Sequence, residues 1–202
     1  MLCCSMTRRQ HLRRVAILCC HCLRNLAFYN AGWRRGESIF KGQFWITTNG
    51  NFLDICVLEW CKLFGDESGK HYWRKVISDP DTFFQELLSE TGVTEAKFND
   101  HVQEMRKYRD KFVAHLDSEE VMHIPTLTIT LQSVSYLYNY LLDNEGVPQF
   151  FADAPKSASA FYSRFRREGK EAYEAWKSNI STPSTLPVME NVRWQKTWAT
   201  WT

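Results

Sequence analysis

A chain of 202 residues, 44% hydrophobic and 24% charged, is long enough to bury one core unaided and has the composition of a globular soluble protein, which excludes a disordered polymer or a membrane bundle. A net charge of +2 supplies no overall basic field that would argue for nucleic acid, so only local stretches such as Arg8 to Arg14 and Arg164 to Arg167 stand as basic contacts. The 7 cysteines gather at Cys3, Cys4, Cys19, Cys20, Cys22, Cys56 and Cys61; an odd count cannot pair fully within one chain, and a reduced, cytoplasmic setting is expected.

The apolar run Val15 to Cys20 is short, follows Arg8, Arg9, Arg13 and Arg14, and meets His21 and Arg24 with no small-residue cleavage site. Neither a signal peptide nor a transmembrane span is expected. Leu12, Val15, Ala16, Cys19, Leu23, Leu26 and Ala27 recur at three- and four-residue steps, predicting a first helix over Gln10 to Trp33. Gly36 and Gly42 break that pattern. A second helix is predicted over Phe44 to Phe64, with Gly50 as an internal weakness and Gly65-Asp66 as its end.

The segment from Gly65 to Pro80 reads as a loop whose His71, Tyr72 and Trp73 pack onto the domain, and a short helix is predicted over Asp81 to Ser89. Thr94, Glu95 and Ala96 offer a helix start, and the chain then runs without Gly or Pro from Lys97 to Ser118. Thr126 to Asn144 carries apolar residues at helical steps; its β-branched start would also suit a strand, but with no partner strand in view a helix is expected. The last helix is predicted over Ala158 to Ile180, in a C-terminal helical extension over 150–180. An irregular, poorly ordered tail over 181–202 follows, with Pro183, Pro187, Trp194, Trp198 and Trp201. The fold class expected is therefore all-α.

On a wheel at about 100° per residue, Phe98, Val102, Met105, Phe112 and Leu116 form one apolar arc, with Arg109 near its middle and His115 at its edge. A guanidinium on a buried face needs an anion. The partner is either a carboxylate of the same chain, such as Asp54 or Glu59, or a phosphate held in a cleft by the planar fork of donors. Arg109 and His115 stand about 120° apart around the axis and roughly 9 Å along it, so both can line one groove.

The stretch Tyr108-Arg109-Asp110-Lys111-Phe112-Val113-Ala114-His115-Leu116-Asp117 resembles the signature of the HEPN superfamily: an Arg, a polar residue, a short spacer and a His late in a helix. It is most similar to the abortive-infection-type branch. The resemblance extends to His21 through Ala27, Glu59 through Gly65, and His71-Tyr72-Trp73, and covers the HEPN-like domain at 10–145. It implies an antiparallel helical bundle that forms a homodimer around a shared cleft. It also implies a metal-independent endoribonuclease of a defence or toxin–antitoxin-like system, with RNA as substrate, an antitoxin or regulatory protein as a further partner, and no membrane.

Under that resemblance Arg109 holds the phosphate and His115 transfers the proton at the 2′-hydroxyl or the leaving oxygen, giving 2′,3′-cyclic phosphate ends. Asp110 orients a neighbour, Tyr108 stacks on a base, Lys111 contacts the backbone, and Arg24 and Asn25 support the groove from the first helix. The superfamily also holds inactive members, so the alternative is a non-catalytic module for nucleotide or RNA binding or for protein assembly.

Cys19, Cys20, His21 and Cys22 invite a zinc reading, but adjacent helical residues point about 100° apart, and buried thiols packing the first helix are the expectation. His71 beside Asp66 and Glu67 is read as packing or capping. No metal and no cofactor is expected.

Overall fold

The computed structural model of the protein describes residues 6–114, 123–145 and 152–180. Six α-helices lie among them: α1 (Arg8–Ala31), α2 (Gln43–Trp60), α3 (Pro80–Thr91), α4 (Glu95–Tyr108), α5 (Leu127–Tyr140) and α6 (Ala158–Ile180). Each of α2, α4 and α5 runs on into a π-helical turn, over Cys61–Gly65, Arg109–Ala114 and Leu141–Glu145. The all-helical reading of the sequence is the architecture of the molecule. Among the described residues no helix is long and apolar enough to cross a membrane.

Local chemistry sets the helix starts. Thr7 and Gln10 close a capping box on α1, Thr7 N donating to Gln10 Oε1 at 3.0 Å and Gln10 N to Thr7 Oγ1 at 3.3 Å. Asp79 caps α3 ahead of Pro80, and Thr94 caps α4 by accepting from Lys97 N at 3.3 Å. Gly50 does not interrupt α2. The break at Gly36 is a hairpin that the sequence reading left out: β1 (Trp33–Arg34) pairs antiparallel with β2 (Glu37–Ser38). Arg35 and Gly36 between them have φ of 55° and 82°, the left-handed pair that a two-residue hairpin turn requires.

That hairpin sends α2 back along α1, so that Cys22 meets Cys56, with sulfurs 3.6 Å apart, while Tyr29 meets Asn49. α4 in turn runs antiparallel to α2, with Phe98 and His101 beside Trp60 and Tyr108 beside Asp54. α6 packs against α1 as extensively as α2 does. It runs parallel to α1, Arg24 lying against Phe165 and Ala31 against Gly169. The core, with Trp60, Phe64, Phe83, Leu26, Leu53 and Tyr138 fully buried, gathers where α1, α2, α4 and α5 meet.

The loop after α2 packs as its aromatics foretold: Trp73 is buried and stacks on Phe84 at 5.5 Å. α5 is a helix despite its β-branched start. Its Ser133 hydroxyl accepts from Trp60 Nε1 at 3.0 Å and donates to the Ile129 carbonyl at 2.7 Å, so that buried polar groups are paired. Cys19 and Cys22 are completely buried in the face of α1. The predicted tail over 181–202, including its three tryptophans, lies outside the described residues.

Candidate active site

α4 delivers the Arg-containing signature. Its stripe of Phe98, Val102 and Met105 is buried, and the same rotation turns Tyr108 into the bundle, where it is 2% exposed. At Arg109 the helix widens into the π-helical turn. The Arg109 side chain is 29% exposed, and its Nε donates to Asp110 Oδ1 at 2.7 Å. Among the described residues no hydrogen bond reaches its two Nη nitrogens. Asp110 is the main influence holding the guanidinium in its charged form, against partial burial.

This corrects the placement read from the wheel. Arg109 does not pair with Asp54 or Glu59: Asp54 accepts from the Tyr108 hydroxyl at 2.9 Å, and Glu59 from Lys62 at 3.2 Å. The physical reason is that His101 and Tyr108 are buried with Phe98 and Met105, which moves the centre of the buried face toward them and leaves Arg109 to one side, its own N–H still bonded to the Met105 carbonyl in α-helical step. Arg109 therefore comes to the rim, where the adjacent Asp110 is its carboxylate. Tyr108 is also corrected, since a ring buried to 2% with its hydroxyl committed to Asp54 positions that carboxylate and does not offer a face for stacking.

Two contacts of Arg106 hold α4 against the end of α2. Arg106, three residues before Arg109, donates from Nε to the Gly65 carbonyl at 2.5 Å and from Nη2 to Glu67 at 3.1 Å, tying α4 to the π-helical turn over Cys61–Gly65. Cys61 in that turn lies within electrostatic reach of Arg109, and burial pushes its thiol up to about 12. Lys111 is half-buried in the same turn as Arg109. His115, the proton-transfer residue of the resemblance, lies outside the described residues.

Arg24 and Asn25 do not join this group. Arg24 is one turn before Phe28 on the stripe that meets α6, and its guanidinium lies over the Phe165 ring, 5.9 Å from the centroid. Asn25 is buried and donates from Nδ2 to the His21 carbonyl of its own helix at 2.8 Å. Both were expected to support the Arg109 groove; adjacent helical residues diverge by about 100°, so at most one could have faced it.

Next to Tyr108 a cleft of about 340 Å³ opens between the end of α1, the hairpin, α2 and Ile124. Tyr29, Trp33, Phe40 and Tyr108 give it aromatic walls, and Asn49 and Asp54 give it polar groups. Asn49 is a hub: its Nδ2 donates to the Tyr29 carbonyl at 3.0 Å and lies 2.9 Å from the Tyr173 hydroxyl, while its Oδ1 accepts from Trp33 Nε1 at 3.1 Å. Burial raises the Asp54 carboxyl above its ordinary range, and the Tyr108 hydroxyl pulls it partly back. Burial raises the Tyr108 hydroxyl too, with Asp54 adding to it.

The sequence reading missed this cleft, because Trp33 and Asn49 meet only through the hairpin. It also missed His101, although the signal was there: three residues after Phe98 and four before Met105, it falls inside the apolar arc. His101 is 2% exposed, with Nε2 3.0 Å from Thr130 Oγ1. Among the described residues no group of three or more His, Cys, Asp or Glu side chains gathers where a metal ion could be held. The chain matches no family model, no curated protein and no solved structure.

Proposed function

We propose that the protein is a metal-independent endoribonuclease of the HEPN type, acting as a homodimer in a defence or toxin–antitoxin-like system. One observation carries the reading: the Arg109 guanidinium is partly exposed and oriented through Nε by Asp110, with its Nη donors unengaged among the described residues. A planar fork held in that way suits a phosphate, and being fixed before the substrate arrives it needs no reorganisation to stabilise the charge that develops there.

In the step proposed, the 2′-hydroxyl oxygen of one nucleotide bonds to the adjacent phosphorus as the bond to the 5′-oxygen of the next nucleotide breaks. His115 accepts the proton of the attacking hydroxyl and returns one to the departing oxygen, as an imidazole near neutral pKa can. The products are a 2′,3′-cyclic phosphate and a 5′-hydroxyl. Arg109 carries the extra negative charge on the phosphorane oxygens.

The Arg109–Asp110 ion pair also suits the second reading, a nucleotide- or RNA-binding module without catalysis. The test is cleavage of mixed cellular RNA in EDTA by wild type, Arg109→Ala and His115→Ala, with folding checked by circular dichroism. The expected result is cleavage to cyclic-phosphate ends by wild type, with a loss on the order of 10²–10³-fold in each folded variant. RNA binding without cleavage by wild type would favour the module.

A further inference from the structure

We propose that the aromatic cleft beside Tyr108 is a guanine-binding subsite, in which Asp54 accepts hydrogen bonds from N1–H and the N2 amine of the base while the ring lies against Trp33 and Tyr29. The RNA context of this assignment rests on the ribonuclease reading; the cleft can be tested without it.

Asp54 is half-buried in walls that are mostly apolar, and among the described residues no Lys or Arg pairs with it. Tyr108 supplies one hydroxyl donor to Oδ1. A carboxylate held this way is short of donors, and burying it costs stability unless more arrive. A ligand that brings two adjacent N–H groups satisfies both oxygens. Of the four RNA bases only guanine presents two neighbouring donors on its Watson–Crick edge. Adenine and cytosine set an acceptor beside their donor, which would face a carboxylate lone pair, and uracil flanks its single donor with two carbonyls.

The walls suit a flat ring. Trp33 is 37% exposed, yet its indole is held in place by the bond from Nε1 to Asn49, whose own amide is fixed from α1 and α6. A rigid aromatic face open to solvent is what single-stranded bases stack on. A volume of about 340 Å³ falls within the ~300–1,000 Å³ usual for small-molecule sites. Asp54 precedes Cys61, beside which Arg109 sits, by two helical turns, or about 10 Å along the axis, a spacing that a short run of RNA backbone spans.

The test uses the full chain in EDTA and measures binding of the guanosine, adenosine, cytidine and uridine 5′-monophosphates by titration calorimetry, with saturation-transfer NMR on the base protons. Wild type should bind the guanine nucleotide at least about ten-fold more tightly than the other three. Asp54→Asn should lose that margin, because its amide sets a donor against a donor while still accepting from Tyr108. Trp33→Ala should weaken all four nucleotides alike, and its melting curve reports whether the fold is kept. Absence of binding, equal binding of the four, or a guanine margin that survives in Asp54→Asn would each overturn the assignment. Guanine binding by a protein that cuts no RNA would leave the cleft standing and remove the ribonuclease reading; cleavage that needs Arg109 and His115, without guanine binding, would do the reverse.

Discussion

His101 is closed off from water among Trp60, Met105 and Thr130, its ring 5.0 Å from the Trp60 ring and its Nε2 bonded to Thr130. Nδ1 has no hydrogen-bond partner among the described residues, and the nearest carboxylate, Glu104, is 4.0 Å away. Burial therefore lowers the imidazole from 6.5 to about 4. Above pH 6.5 the residue is neutral in both folded and unfolded chains and contributes no pH dependence. Below that, the unfolded chain binds a proton that the folded one refuses, so stability falls until the pH passes about 4, by roughly 3 kcal/mol in all. Urea midpoints at pH 7 and pH 4.5 should differ by less in His101→Gln than in wild type; identical differences would mean that this histidine is not buried neutral. Arg109 and Asp110 belong to the opposite regime, a pair at the rim whose value lies in orientation and not in stability.

Helix packing is most exposed to test at two glycines. Gly50 lies mid-helix in α2 with open space where a Cβ would sit, so Gly50→Ala should stabilise by about 0.5–1 kcal/mol through backbone entropy alone. Gly169 is the reverse case: an added Cβ would lie 2.9 Å from Ala31 Cβ and 3.0 Å from Phe28 Cδ1. Gly169→Leu should therefore cost about 1–3 kcal/mol by prising α6 from α1. Thermal melts separate the two by sign, and an unchanged melt for Gly169→Leu would deny the close α1–α6 contact. These elements also mark what could be read in advance. Helical periodicity located α6 with the bounds found, and Thr94 was a legible start for α4. The hairpin of β1 and β2 escaped because two-residue strands are too short to show alternation. The π-helical turn at Arg109 escaped because periodicity assumes one constant step, while Arg109 itself was misplaced because the apolar arc was drawn without His101 and Tyr108, whose burial shifts its centre. The cleft residues Trp33, Asn49 and Asp54 are legible only once the chain has folded back at Gly36.

At the scale of the molecule, α6 completes the bundle on the α1 side and seals a second apolar cluster of Ala31, Phe40 and Tyr173, so the C-terminal extension shares the core of the domain before it. The Asn49 hub joins that cluster to the cleft, linking α1, α2, α6 and the hairpin through one amide. Arg109 and the cleft then lie along one length of α2 and its π-helical turn, which is the arrangement an RNA strand would need to reach both. The chemistry proposed for that strand rests on its own 2′-hydroxyl as nucleophile. The most direct measurement compares, in EDTA, one RNA with a copy of identical sequence in which every 2′-hydroxyl is methylated. The unmodified strand should be cut to cyclic-phosphate ends and the methylated strand should stay whole. Cutting of the methylated strand, or an unmodified strand left intact, would contradict the ribonuclease mechanism.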